Sequence, residues 1–167
     1  MAVRKLNHAV LWVRDAQASR RFYEETLGME TLKDLGRAVF MKAPKSDSDH
    51  DLGIFSVGDD ADPTRTGPGP DRGSVGLYHL AWEVETLGEL AAVRTRLSEA
   101  GALVGASNHG TTKSLYAHDP DGIEFEVLWQ VPLDLIEPAD AEVRTEPLDL
   151  DAELARFGAD LARADHG

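Results

Sequence analysis

The stretches Leu6-Asn-His-Ala-Val-Leu-Trp-Val13 and Leu77-Tyr-His-Leu-Ala-Trp-Glu-Val84 each carry a histidine third in a mostly apolar run, 71 residues apart. An internal repeat constrains the fold more than composition does, because each copy must be one structural unit. Each opens the same series of strand, helix, strand, strand, strand. In the first half, a strand over 6–13 precedes a helix that Asp15 caps, with Phe22, Tyr23 and Leu27 on its apolar side and Gly28 as its stop. Strands follow over 29–33, 37–42 and 50–57, with a loop over 43–49. In the second half, a strand over 77–84 leads to a capping box of Thr86 and Glu89; Leu90, Val93, Leu97 and Ala100 then share a helical face before Gly101. The remaining strands are expected near 102–106, 113–118 and 123–129.

The fold class predicted is therefore α+β, with two β-α-β-β-β modules, about 4–57 and 77–130, in an approximate two-fold arrangement that forms an open sheet within a domain over 1–130. The joining segment 58–76, with three prolines and five glycines, reads as a lid or a linker. The extension over 131–167 is broken by Pro132, Pro138 and Pro147. It then carries a helix over about 149–164, capped by Asp149, with Leu150, Leu154, Phe157 and Leu161 at helical spacing.

Strand alternation puts His8, Val10 and Trp12 on one face, and equivalent first strands let His8 and His79 converge. Taken singly, each histidine is a satisfied core residue; two at equivalent places weaken that explanation. In the last strand, after the Pro120-Asp121-Gly122 turn, Ile123, Phe125, Val127 and Trp129 share an apolar face, and Glu124 and Glu126 share the other. Two imidazoles and one carboxylate are a ligand set for a divalent metal with positions left open, as in non-heme Fe(II) oxygenases, although zinc and manganese accept similar donors. Alternation alone leaves Glu124 and Glu126 equally eligible. Cysteine is absent, which excludes thiol nucleophiles, zinc-thiolate sites and iron-sulfur clusters. Thirty acidic against 17 basic residues, a net charge of -13, oppose binding to nucleic acid and to anionic membranes. With no apolar run of membrane-spanning length and no secretory signal core at the N-terminus, a soluble cytoplasmic protein is expected.

The paired modules, a histidine in each first strand and Asp119-Pro-Asp-Gly-x-x-x-Glu126 resemble the vicinal oxygen chelate superfamily over residues 4–130. That family places its ligand glutamate four residues after the turn glycine, so the resemblance implies His8, His79 and Glu126 as metal ligands. His50-Asp-Leu-Gly-Ile-Phe is similar to the His-Asp-x-Ala-Leu strand of extradiol dioxygenases, which implies His50 as the acid/base. His109-Gly-Thr-Thr and Tyr116 are similar to the second histidine and the tyrosine of the same pocket, implying that both hydrogen-bond substrate oxygens. Family members that act as glyoxalase-type lyases use a further carboxylate from the fourth strand, and Leu52-Gly-Ile-Phe-Ser-Val57 offers none. The resemblance thus implies a single-domain extradiol catechol dioxygenase using Fe(II), with Mn(II) also possible, a catechol and O2 as small-molecule partners, and a homodimer. A glyoxalase-like lyase or isomerase and a bleomycin-type binding protein are the alternatives. His118 and His166 are left as structural or solvent-exposed.

Overall fold

The computed structural model describes residues 5–62, 76–142 and 144–162. They fall into two compact units, Met1–Thr64 with Asp119–Gly122, and Arg65–His118 with Ile123–Gly167. Each holds one copy of the repeat, so the two-module α+β reading stands.

In the first unit, β1 (Ala9–Val13), α1 (Ala16–Leu27), β2 (Glu30–Asp34), β3 (Ala38–Lys42) and β4 (Leu52–Ser56) form a sheet in the order β1-β4-β3-β2. β1 runs parallel to β4, and the other pairs are antiparallel. The Asp15 side chain accepts from Gln17 N at the start of α1, and Gly28, at φ 71°, closes it in the left-handed conformation glycine tolerates. The buried stripe of α1 is Ala16, Ser19, Tyr23 and Thr26. Phe22 and Leu27, expected on that side, are half-buried, because Tyr23 occupies the centre of the face turned to the sheet. Alternation in β1 is as expected, with Leu11 and Val13 buried and Val10 and Trp12 exposed. The Asp119–Gly122 turn belongs to this unit: Gly122 N donates to Asp119 O, Asp121 accepts from Arg14 N and Nη1, and Asp119 accepts from the Tyr23 hydroxyl.

In the second unit, β5 (Leu80–Glu83), α2 (Leu87–Glu99), β6 (Leu103–Asn108), β7 (Thr112–His118) and β8 (Glu124–Gln130) repeat the topology, and β9 (Glu146–Pro147) extends the sheet to β5-β8-β7-β6-β9. β5 is parallel to β8. The capping box of α2 forms as predicted, and Leu87, Leu90, Val93 and Leu97 bury its inner face. Burying each such leucine stabilises the fold by about 1.5–3 kcal/mol. β8 lies between β5 and β7, so both of its edges are hydrogen-bonded. Phe125, Val127 and Trp129 are 1 % exposed or less, while Glu124 and Glu126 on the other face are 1 % and 8 % exposed.

Two elements differ from the sequence reading. The first strand of each unit is shorter than its apolar run, so His8 and His79 sit just before β1 and β5 rather than within them. The last helix, α3 (Leu150–Phe157), is also shorter, because Gly158 takes φ 83° and ends it; Leu161 keeps the period but not the helix, and 163–164 lie outside the described residues. Phe157 packs its ring 5.3 Å from Trp129, so the tail docks on its own unit. Most of the segment read as lid or linker, 63–75, and His166 lie outside the described residues. Among the described residues, no helix is long and apolar enough to cross a membrane.

Candidate functional site

In the second unit, parallel pairing of β5 with β8 fixes what surrounds the buried glutamates. Leu80 pairs with Phe125, so His79, one step earlier, stands level with Glu124. On the other side of β8, antiparallel pairing sets Tyr116 opposite Glu126 and His118 opposite Glu124. The side chains follow this register. His79 Nε2 lies 3.2 Å from Glu126 Oε2, and the Tyr116 hydroxyl donates to Glu126 Oε1 at 3.3 Å. His109 Nε2 is 2.9 Å from the same hydroxyl, while its Nδ1 lies 3.1 Å from the Arg144 carbonyl and 3.3 Å from Thr145 Oγ1. His79, Glu126, Tyr116 and His109 thus form one connected polar chain.

Burial pushes the Tyr116 phenol up to about 12, and the Glu126 carboxylate that it donates to adds to the shift. Tyr116 is a neutral donor throughout the ordinary pH range. A buried carboxylate is unfavourable without a compensating partner. Beside Glu126 stand the neutral Tyr116 hydroxyl and the His79 imidazole, and the imidazole carries charge only when protonated. A divalent cation between His79 and Glu126 would supply that compensation, and two donors 3.2 Å apart suit one first-row ion with bonds of about 2.0–2.2 Å. The pair supplies two donors; among the described residues, no group of three or more His, Asp or Glu side chains is arranged to hold a metal by itself.

In the first unit, His8 and His50 stand together, with ring centroids 4.4 Å apart. The Asp51 carbonyl accepts from Ala9 N, which ties the start of β1 to the segment leading into β4 and so sets the two histidines side by side. His8 Nδ1 lies 2.7 Å from Asn7 Oδ1. His50 Nδ1 lies 3.1 Å from Asp49 Oδ2, and its ring meets the Phe40 ring edge-on at 5.4 Å. The hydrogen bond from the His50 side chain lowers the pKa of the exposed Asp49 carboxyl.

Sequence reasoning left two residues of this region without a task. Glu124 and His118 approach each other, with Nε2 of the histidine 3.5 Å from Oε2. The signal that finds them is the pairing of β7 with β8, which no single strand carries.

The family model described as Glyoxalase/Bleomycin resistance protein/Dioxygenase superfamily matches residues 5–127. A catechol-2,3-dioxygenase of Bacillus subtilis (strain 168) is 30 % identical over 122 residues, 73 % of this chain and 40 % of that protein. A biphenyl-2,3-diol 1,2-dioxygenase 3 of Rhodococcus globerulus is 29 % identical over 124 residues, 74 % of this chain and 62 % of that protein. The chain therefore spans less than two thirds of the length of either relative. Among solved structures, a glyoxylase/bleomycin resistance protein/dioxygenase domain from Frankia sp. EAN1pec aligns with a TM-score of 0.60 at 25 % identity, covering 78 % of this chain and 94 % of that one. With its repeated sheet topology and a family match over most of its length, the chain belongs to the glyoxalase/bleomycin resistance protein/dioxygenase superfamily.

Proposed function

We propose that this protein is a metal-dependent extradiol dioxygenase that opens the ring of a catechol-type substrate with O2. The observation that carries the reading is the chain of His79, Glu126, Tyr116 and His109, which joins two metal donors to two hydrogen-bonding groups. The similarity to two ring-diol dioxygenases supports it. His8, His79 and Glu126 would hold Fe(II), and Mn(II) suits the same donors. Such an ion, when bound, supplies Lewis acidity toward the two catechol oxygens and a path for electrons to O2.

The chain's own residues do the rest. Glu126 offsets the cation's charge. Tyr116, protonated at working pH, turns the proton it otherwise gives to Glu126 toward a substrate oxygen, and His109 Nε2 holds that hydroxyl in place. His50 takes a catechol proton and later returns it; Asp49 at its Nδ1 orients the ring so that Nε2 is the transferring atom. One carbon–carbon bond of the ring breaks and both oxygen atoms of O2 enter the product, a muconic semialdehyde.

Anaerobic reconstitution with Fe(II), followed by a catechol panel in air, should give a yellow product and one O2 consumed per catechol. His50→Ala is expected to retain metal and lose turnover; unchanged turnover removes the role given to His50. Bound metal with no turnover of any catechol but activity on a hemithioacetal would replace this reading with a lyase, and failure to bind metal would replace it with a small-molecule binding protein.

A further inference from the structure

We propose that Glu124 is a positioning residue for His79: it accepts the proton on Nδ1 and so holds Nε2 as the metal-facing atom. The inference rests on the metal reading above. It begins with burial. Glu124 is 1 % exposed at the start of β8, a strand paired on both sides, where a neutral or apolar side chain of similar volume would serve packing better than a carboxylate does. Its neighbours explain what it does there. Pairing of β5 and β7 with β8 sets His79 and His118 on either side of it, and each faces one oxygen: Oε1 lies 3.8 Å from His79 Nδ1, and Oε2 lies 3.5 Å from His118 Nε2.

The two nitrogens of His79 therefore face different carboxylates. Nε2 is 3.2 Å from Glu126, and Nδ1 is turned to Glu124. Nδ1 is buried and has no hydrogen-bond partner. An imidazole that binds a metal through Nε2 must carry its proton on Nδ1, and a buried proton donor needs an acceptor. At 3.8 Å the carboxylate is just beyond hydrogen-bond range, and a side-chain rotation of under about 1 Å closes the gap. His118 Nε2 stands 3.5 Å from the far oxygen, on the opposite side of the carboxylate from the ring it serves. A surface role for Glu124 fails on its burial, and a role as metal ligand in place of Glu126 fails on its place beside Nδ1.

The test uses the full chain and two probes, Mn(II) alone and Zn(II) alone. Mn(II) affinity is read from the loss of the free-ion electron paramagnetic resonance signal. In Glu124→Gln it should weaken about 10- to 100-fold, with the thermal midpoint of the metal-free protein unchanged or raised; Glu126→Gln, which removes a ligand, should lose tight binding altogether. In the Zn(II)-loaded wild type, nitrogen-15 spectra should place zinc on His79 Nε2 and a slowly exchanging, strongly downfield proton on Nδ1. That proton should move upfield and exchange faster in Glu124→Gln. Equal Mn(II) affinity with an unmoved Nδ1 proton overturns the positioning role and leaves the metal reading standing. So does zinc on Nδ1 of the wild type, a result that needs no variant. Binding that survives Glu126→Gln but not Glu124→Gln makes Glu124 the ligand and overturns the proposal. A wild type that takes up neither ion overturns both readings.

Discussion

Tyr116 links Glu126 to His109, and its single hydroxyl makes both contacts. Tyr116→Phe is expected to lower kcat about 100-fold while metal content and KM change little, which steady-state kinetics with metal analysis checks. Next to His109, Gly110 has φ 82°, and a Cβ there would collide with the Asp140 carbonyl. Gly110→Ala should destabilise the fold by about 3 kcal/mol, read by denaturant unfolding, because it combines a strained backbone with a clash against main chain. Much at this scale was legible in the sequence. Turn chemistry around Gly122 and the two strand-leading histidines are local patterns, readable without a partner strand. The place of Glu124 between His79 and His118 was not, since it arises from which residues of β5 and β7 lie opposite β8.

At the scale of elements, α3 is held by charge as well as by its apolar face. Arg156 donates to both oxygens of Asp140, and these hydrogen bonds hold that carboxyl down at about 2, below its usual 3.8. A carboxyl whose pKa is lower in the folded than in the unfolded chain contributes stability that is full above about pH 4 and is lost as pH falls toward 2. Arg156→Ala should therefore destabilise the protein by about 2 kcal/mol at pH 7 and by much less near pH 2, measured by urea unfolding at both values. Helix starts were the most legible elements: Asp15, Thr86 and Asp149 all cap helices where expected, because a cap is made with backbone two or three residues away. Helix ends were less so. Leu161 fits the period of α3, yet the left-handed Gly158 stops the helix before it. β9, two residues long and paired with β6, has no sequence period to reveal it.

Across the whole molecule, the repeat of two histidine-led strands foretold two units of like topology, and each one pairs its first strand in parallel with its last. In the second unit that pairing brings together His79 and Glu126, 47 residues apart in the chain. Time therefore enters the account of the metal. His79 and Glu126 meet only when β8 pairs with β5, a contact of long sequence separation, so an ion held between them would be captured late and would not template the collapse. Stopped-flow refolding should run at the same rate with Mn(II) as with a chelator, while unfolding slows as Mn(II) is raised. A metal that instead speeds refolding would mean the donors meet before the sheet closes. On the metal reading proposed above, loading would govern how long the finished protein survives, and a cell short of the ion would still fold every copy it makes, only to lose them sooner.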